Sequence, residues 1–478
     1  MRTIASRFII LLLCLAIVLT TLAYGTVHYW SLAIFQMSAA LIVLFWAVDG
    51  WRTGFLHLSR NPLQWPLVGL ILLGLFQLLP LGSAGDASAI NSATVHTLSL
   101  DPYSTRLALV QITALLIYFS AALAFIDSPR RLRLLVRTII IFGFALALFG
   151  LIQNFTSPTK VYWIRELPQS TPFGPFINRH HFAGYMELTL ALPLGLLFSG
   201  AVEKDKRLLF IFAAALMGVA LIMTNSRGGL VSLIAELSFL VAITGFGRRE
   251  RAEDEGERTG SVRGAVVRAG LALALILALL GGEGGLSRFV GTVNAEDPTT
   301  GRAHFWGVAV QIIRDHPIIG AGLGSFGLAY TRYDSRNGLF RLEQAHNDYL
   351  QILSDGGITG ALLGLFFLVT LFRMGFARRE SADTFRRGVS TGALAGCFAV
   401  LVHSFFDFTL HTTANALLFL VLAALATVNG RVEKTSGGHG RRRRHRSQHR
   451  YVTQPSIHRA PDATDGRSLP APDEGQSN

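Results

Sequence analysis

The chain has 478 residues, 51% of them hydrophobic and only 15% charged, against about 25% charge in a soluble domain. Its mean hydropathy is +0.43, and apolar runs of about 18 residues with few charges exclude a soluble globular protein. The net charge of +13 would suit nucleic acid, but the cations lie in short loops between apolar runs and in a C-terminal tail, which is the pattern of membrane topology.

Membrane spans are predicted at 8–24, 30–48, 65–80, 107–126, 134–153, 182–200, 207–223, 229–246, 266–281, 358–372, 388–405 and 412–428. The fold class is therefore all-α and polytopic, with twelve helices. The third and ninth runs are short for a bilayer and invite tilting or an earlier start. The first run, behind Arg2 and Arg7, reads as a retained span rather than a cleaved signal, because another span follows at once. Cys14 and Cys397 both fall in apolar runs and read as small buried hydrophobes.

Alternate loops differ in charge. One set carries Arg52 and Arg60; Arg130, Arg131 and Arg133; Lys204, Lys206 and Arg207; Arg248 to Arg263; and Arg378 to Arg387. The positive-inside rule puts that set, and both termini, in the cytoplasm. The outer loops are then 25–29, 81–106, 154–181, 224–228, 282–357 and 406–411. The chain divides into a membrane domain, 1–430, and a basic tail, 431–478, with RRRRHR at 441–446. The tail's polar composition predicts disorder, and anionic lipid is its expected partner.

The chemistry-bearing residues fall in the outer set. Loop 154–181 ends in FGPFINRHHFAGYMEL, which puts Asn178, Arg179, His180 and His181 directly before a span. Adjacent histidines do not face one way on a helix, so hydrogen bonding to substrate or to neighbouring loops is expected of them rather than metal binding. Loop 224–228 is only a turn, and it fixes Arg227 at the outer surface beside Gly228 and Gly229. The stretch GRAHFWGVAVQIIRD, 301–315, has Phe305, Ala309, Ile312 and Ile313 at helical spacing. Thr299 or Thr300 would cap it and Pro317 would stop it. It reads as an amphipathic helix on the membrane surface with Arg302 at its start. Arg302 would either snorkel to headgroups or, with Arg227, clamp a pyrophosphate through planar guanidinium forks.

Gly322, Gly324 and Gly327 match G-x-G-x-x-G, but no βαβ unit surrounds them. A tight bend whose N–H groups face an anion is expected instead. His346 precedes a short helix, Asn347 to Ser354, that Gly356 and Gly357 break before the next span. A neutral imidazole there can take a proton from an attacking hydroxyl, or merely be satisfied by hydrogen bonds at the interface. In HSFFDFTLH, His403, Asp407 and His411 recur every fourth residue. On one continuous helix they would share a face, either with Asp407 orienting a histidine or as a packed polar stripe. No Walker A loop, acidic metal cluster or nucleophile elbow is present in the sequence. The chemistry must draw on a pre-activated substrate, and no cofactor or metal is called for.

Several of these stretches resemble one known family. His346, Asn347, Gly357 and Gly360 form the HN-x9-G-x-x-G signature, which is similar to that of O-antigen ligases. GRAHFWGVAVQIIRDHPIIGAGLGSF, TNSRGG and GPFINRHHFAGY resemble the module shared with Wzy-type polysaccharide polymerases, over roughly 170–410. The HHF at 180–182 departs from the N-H-F form of that module. The resemblance implies a metal-independent, inverting glycosyltransferase of GT-C-like fold in the bacterial inner membrane, with its active site facing the periplasm. The donor would be a glycan on undecaprenyl pyrophosphate, and the acceptor lipid A-core or another glycan. It assigns His346 as base and Arg227 and Arg302 to the pyrophosphate. Asn178, Arg179, His180, Asn347 and Asp407 would line the substrate. A polymerase is the alternative enzyme, and a transporter or flippase of lipid-linked glycan the alternative class.

Overall fold

The computed structural model describes residues 3–81, 97–168, 170–255 (backbone alone from 246), 302–335 and 342–428. The predicted span 266–281, the caps Thr299 and Thr300 and the basic tail lie outside them. Among the described residues, eleven apolar helices match the other eleven predicted spans. Nine are long and apolar enough to cross a membrane: α1 (Ile4–Leu22), α2 (Tyr29–Thr53), α4 (Pro102–Phe125), α5 (Pro129–Thr156), α6 (Arg179–Phe198), α7 (Arg207–Met223, with the preceding 3-10 turn), α8 (Arg227–Glu255), α11 (Asp348–Arg378) and α12 (Thr384–His403). The two shorter ones are α3 (Gln64–Gln77) and α13 (Thr413–Thr427). At 14 residues, α3 rises about 21 Å, less than a bilayer core of about 30 Å, as the short third run suggested. Two small helices, α9 (Arg302–Asp315) and α10 (Phe326–Tyr333), and a two-residue hairpin, β1 (Lys160–Val161) with β2 (Arg165–Glu166), complete the described structure.

The helices begin where capping chemistry allows. Asp101 and Ser128 accept the first free amides of α4 and α5, with Pro102 and Pro129 at the first helical position. Asp383 does the same for α12. The least hydropathic spans, α6 and α12, are the most buried, at 89% and 72% of their windows. They face protein rather than lipid, so they tolerate buried charged residues such as Glu187 and Arg386.

Small residues let α6 and α12 touch backbone to backbone. Gly388, Gly392 and Gly396 recur every fourth residue on α12, the spacing of a small-residue helix contact. A Cβ on Gly392 would lie 2.4 Å from the Ala191 carbonyl oxygen, and one on Gly195 2.3 Å from the Gly392 amide nitrogen. Gly392→Leu is therefore expected to cost about 3 kcal/mol, the upper end for overpacking, and to lower the recovery of monodisperse protein in detergent. A wild-type elution profile and melting temperature would refute this account of the crossing.

The loops segregate as their charges predict. Arg133 lies over the Phe385 ring and Arg379 donates to the Ile243 carbonyl, so the start of α5 and the 378–387 loop meet the later part of α8 at one end. At the other end Thr413 donates to the Thr26 carbonyl, and Phe176 lies against Gly25. Two cations of the basic set are not simple loop charges. Arg386, fully buried, donates to the carbonyls of Leu425, Ala426 and Val428 and so caps the C-terminus of α13. Arg131 donates to the Phe125 carbonyl and to Ser6 Oγ.

The surface-helix expectation for 301–315 needs correction. The apolar face of α9 (Phe305, Val308, Ala309, Ile312) packs on α10 and on Ala321 and Ala345 in a small core of its own, not on lipid. The glycine bend is also filled from within. The amides of Leu323 and Gly324 donate to Gln77 Oε1 and to Asp355 Oδ2, so the anion they face is Asp355 of this chain. Gly357 breaks α11 as expected, at φ 61° and ψ −161°. The amides of Ile358 and Thr359 beyond it donate to the Pro317 and Ile318 carbonyls. A Cβ on Gly357 would lie 2.5 Å from the Ile318 carbonyl. That signature glycine seats the bend against the kink.

Candidate active site

Four segments distant in sequence converge on Asp407 at the end opposite the basic loops. Helix α12 stops at His403, and the chain turns through 404–408 into a 3-10 turn, Thr409–His411. This overturns the expectation of one helix face for His403, Asp407 and His411. The three point to different partners: His403 to Glu187, Asp407 to His346, and His411 to Asp348.

Asp407 is 1% exposed, so it faces side chains of this chain rather than lining a substrate surface. Its Oδ1 lies 3.3 Å from His346 Nδ1 and accepts from the Phe408 amide. Its Oδ2 lies 3.6 Å from Arg302 Nη2 and 3.9 Å from His180 Nδ1. Burial would push this carboxyl up. The hydrogen bond from His346 and the charges of His180, His181 and His346 outweigh it and hold Asp407 below the usual carboxylate range. A carboxylate can only accept, so Nδ1 of the neutral His346 ring would carry the proton and Nε2 the lone pair. The His346 ring is 25% exposed, edge-on to Phe408 at 4.7 Å and 6.1 Å from Phe305.

His346 itself has φ 52°, a left-handed conformation that costs a non-glycine residue about 1–2 kcal/mol. Strain of this kind persists where the surroundings impose it, and functional sites are where it collects. Asn225, in the turn before Arg227, is left-handed as well, at φ 55°. Arg227 is exposed at the start of α8, next to Ser226, whose Oγ hydrogen-bonds His180 Nδ1 at 2.8 Å.

The two asparagines expected at the substrate turn out to be helix caps. Asn178 Oδ1 accepts from the His180 amide at the start of α6. Asn347 Oδ1 accepts from the Tyr349 and Leu350 amides and its Nδ2 donates to the Phe405 carbonyl, so both polar ends are spent within the fold. Arg179 is half-buried in the first turn of α6.

His180 and His181 diverge, as adjacent helical residues must. The His181 ring packs edge-on to Phe408 at 4.8 Å. Donor atoms of His180, His403 and Asp407 do lie within 4.8 Å of one another. The Arg302 guanidinium sets a fixed positive charge beside that ring of donors and opposes a cation there.

A clamp that sequence reasoning missed holds the His346 segment against the Asp407 turn. The Asp348 amide donates to the Ser404 carbonyl at 3.0 Å. The Asp348 carboxylate accepts from Ser404 Oγ at 2.7 Å, and it lies 2.8 Å from His411 Nδ1. Burial works against the charged His411 ring, but the hydrogen bond to Asp348 and its charge outweigh that and raise the imidazole above its ordinary value. The clamp's contribution is therefore complete below about pH 6.5, the unfolded histidine value, and is lost as pH rises through the higher folded value. The melting-temperature difference between wild type and His411→Gln should shrink as pH is raised from 6 to 9. A difference independent of pH would refute the ion pair.

All-α architecture and nine described candidate spans define a polytopic membrane protein, with a polar cluster around Asp407 at the end away from the basic loops. Residues 212–365 match the family model described as O-Antigen ligase, a stretch containing Arg227, Arg302 and His346. An O-antigen ligase of Pseudomonas aeruginosa is 26% identical over 273 residues, covering 56% of this chain and 57% of the relative, so the chain spans little more than half of that protein. Over these stretches the chain is similar to the O-antigen ligase superfamily.

Proposed function

We propose that the protein moves a polysaccharide from undecaprenyl pyrophosphate to an acceptor hydroxyl at the periplasmic face of the bacterial inner membrane. The similarity to O-antigen ligases supports a ligase- or polymerase-type function at a membrane. The observation that carries the finer reading is the bridge of one buried carboxylate, Asp407, between His346 and Arg302. His346 Nε2 takes the proton of the acceptor hydroxyl. The acceptor oxygen attacks the anomeric carbon from the face opposite the leaving group, so the configuration inverts. The carbon–oxygen bond to pyrophosphate breaks and its electron pair leaves with the pyrophosphate, where Arg302 and Arg227 meet the charge. No metal is needed, because two guanidinium groups supply the positive charge. The basic loops at the far end support cytoplasmic placement of that end and of both termini.

The test is incubation of purified protein with a lipid-linked glycan and acceptor. Release of free undecaprenyl pyrophosphate is expected, with glycan captured on lipid A-core. Long chains built from single repeats would make the protein a polymerase instead. Transport without pyrophosphate release would end the enzymatic reading.

A further inference from the structure

A second ionisable cluster lies directly behind Asp407, and transfer as written above does not use it. Glu187 on α6 and His403 at the end of α12 are 0% exposed, and His403 Nδ1 lies 2.8 Å from Glu187 Oε1. Burying such a pair in a membrane bundle is costly unless something uses it. The other ring nitrogen, His403 Nε2, is buried without a hydrogen-bond partner, and so is Asp407 Oδ2. Their residues, His403 and Asp407, form with His180 a group that offers one ligand atom each, all within 4.8 Å of one another. His180 Nδ1 and Asp407 Oδ2, 3.9 Å apart, are too far for a direct hydrogen bond, and the group suits one bridging water, which needs two to four polar partners. The sequence protects the space: a Cβ on Gly228 would stand 2.9 Å from His403 Nε2 and 2.7 Å from its Cδ2. Gly228 therefore keeps the ring in place beside the turn that presents Arg227.

We propose that one ordered water joins His403 Nε2, Asp407 Oδ2 and His180, and that through it Glu187 and His403 are positioning residues for glycan transfer. The chain Glu187–His403–water–Asp407–His346 places a second carboxylate behind the base. When His346 takes the acceptor's proton beside Arg302, the positive charge is shared along that chain instead of resting on Asp407 alone. The water also fixes Oδ2, which leaves Oδ1 turned to His346. This rests on the transfer reading given above.

The test uses purified full-length protein and Glu187→Gln, which keeps the shape and removes the charge. Turnover is expected to fall about ten- to a hundredfold, the usual effect of losing a supporting partner, with the donor KM unchanged. Rates in mixtures of light and heavy water should bend with isotope fraction in wild type, and become linear in the variant once only one proton is in flight. A merely structural role would lower yield and melting temperature without changing that curve. Wild-type turnover and a wild-type isotope curve in Glu187→Gln would overturn the proposal. A second measurement avoids any folding defect in the variant: a high-resolution structure of the wild type should show water density about 2.7–3.2 Å from His403 Nε2. Empty density there, or a metal identified by its anomalous signal, also overturns it. Failure of the wild type to release lipid pyrophosphate would instead remove the transfer reading, and this inference with it.

Discussion

His346→Ala is expected to reduce transfer about 10²–10⁴-fold, the usual contribution of a general base, while insertion and yield stay at wild-type levels. The ring makes one hydrogen bond to protein, at 3.3 Å, and is 25% exposed, so little packing is lost with it. Alanine leaves the left-handed backbone at φ 52° as strained as before. His346→Asn is the informative companion, because asparagine tolerates that conformation better than alanine. It should fold at least as well as wild type and still fail to transfer. Initial rates of undecaprenyl pyrophosphate release, with melting temperatures of all three proteins, would decide the matter. Transfer at a tenth of wild type or better in either variant would mean that another group takes the proton.

Arg302→Ala should cost about 10²–10³-fold, the range for removing one preorganised donor from a developing negative charge. Its Nη2 is 3.6 Å from Asp407 Oδ2, so the substitution also takes a counter-charge from a buried carboxylate. Arg302→Lys separates these effects. Lysine keeps the positive charge near Asp407 but loses the planar fork that matches two phosphate oxygens. A partial rescue locates the remaining loss in the geometry of the fork. If the lysine variant is as slow as alanine, bidentate contact carries nearly all the effect. An alanine variant at full rate would remove Arg302 from the leaving-group side altogether. Arg227→Ala should fall in the same range, and the double variant should lose less than the product of the two, because both act on one charge.

Much of the architecture was legible because a bilayer imposes simple rules. Apolar run length located eleven of the described helices, and the contacts of Arg133 and Arg379 fall at one end, where the charge pattern puts them. The bend at 317–324 and the break at Gly357 were legible as well, because glycine marks backbone that other residues cannot adopt. Less legible was what each polar group faces. The repeat His403, Asp407, His411 read as a helix face, yet α12 ends at His403 because the turn that follows is held by the Asp348–Ser404 contacts. Asn178 and Asn347 read as ligand contacts and proved to be caps, a role that the same residue type fills equally well. Arg386 read as a loop cation and proved to be buried against three carbonyls, since only packing reveals which carbonyls a helix end leaves unpaired.

The sequence by itself determined the class of protein, the places where the chain crosses between apolar and aqueous surroundings, and the residue types available at one face. Those are set by transfer free energies that act residue by residue along the chain. Only the tertiary structure decided that Asp407 is the carboxylate shared by His346, Arg302 and His180, and that Glu187 stands behind it through His403. His403 and Glu187 lie on different helices, 216 residues apart, and His346 and Asp407 in different loops, 61 residues apart. The Glu187–His403 contact depends on the close crossing of α6 and α12 at Gly195 and Gly392, and the glycine spacing marks a close contact without naming the helix it meets.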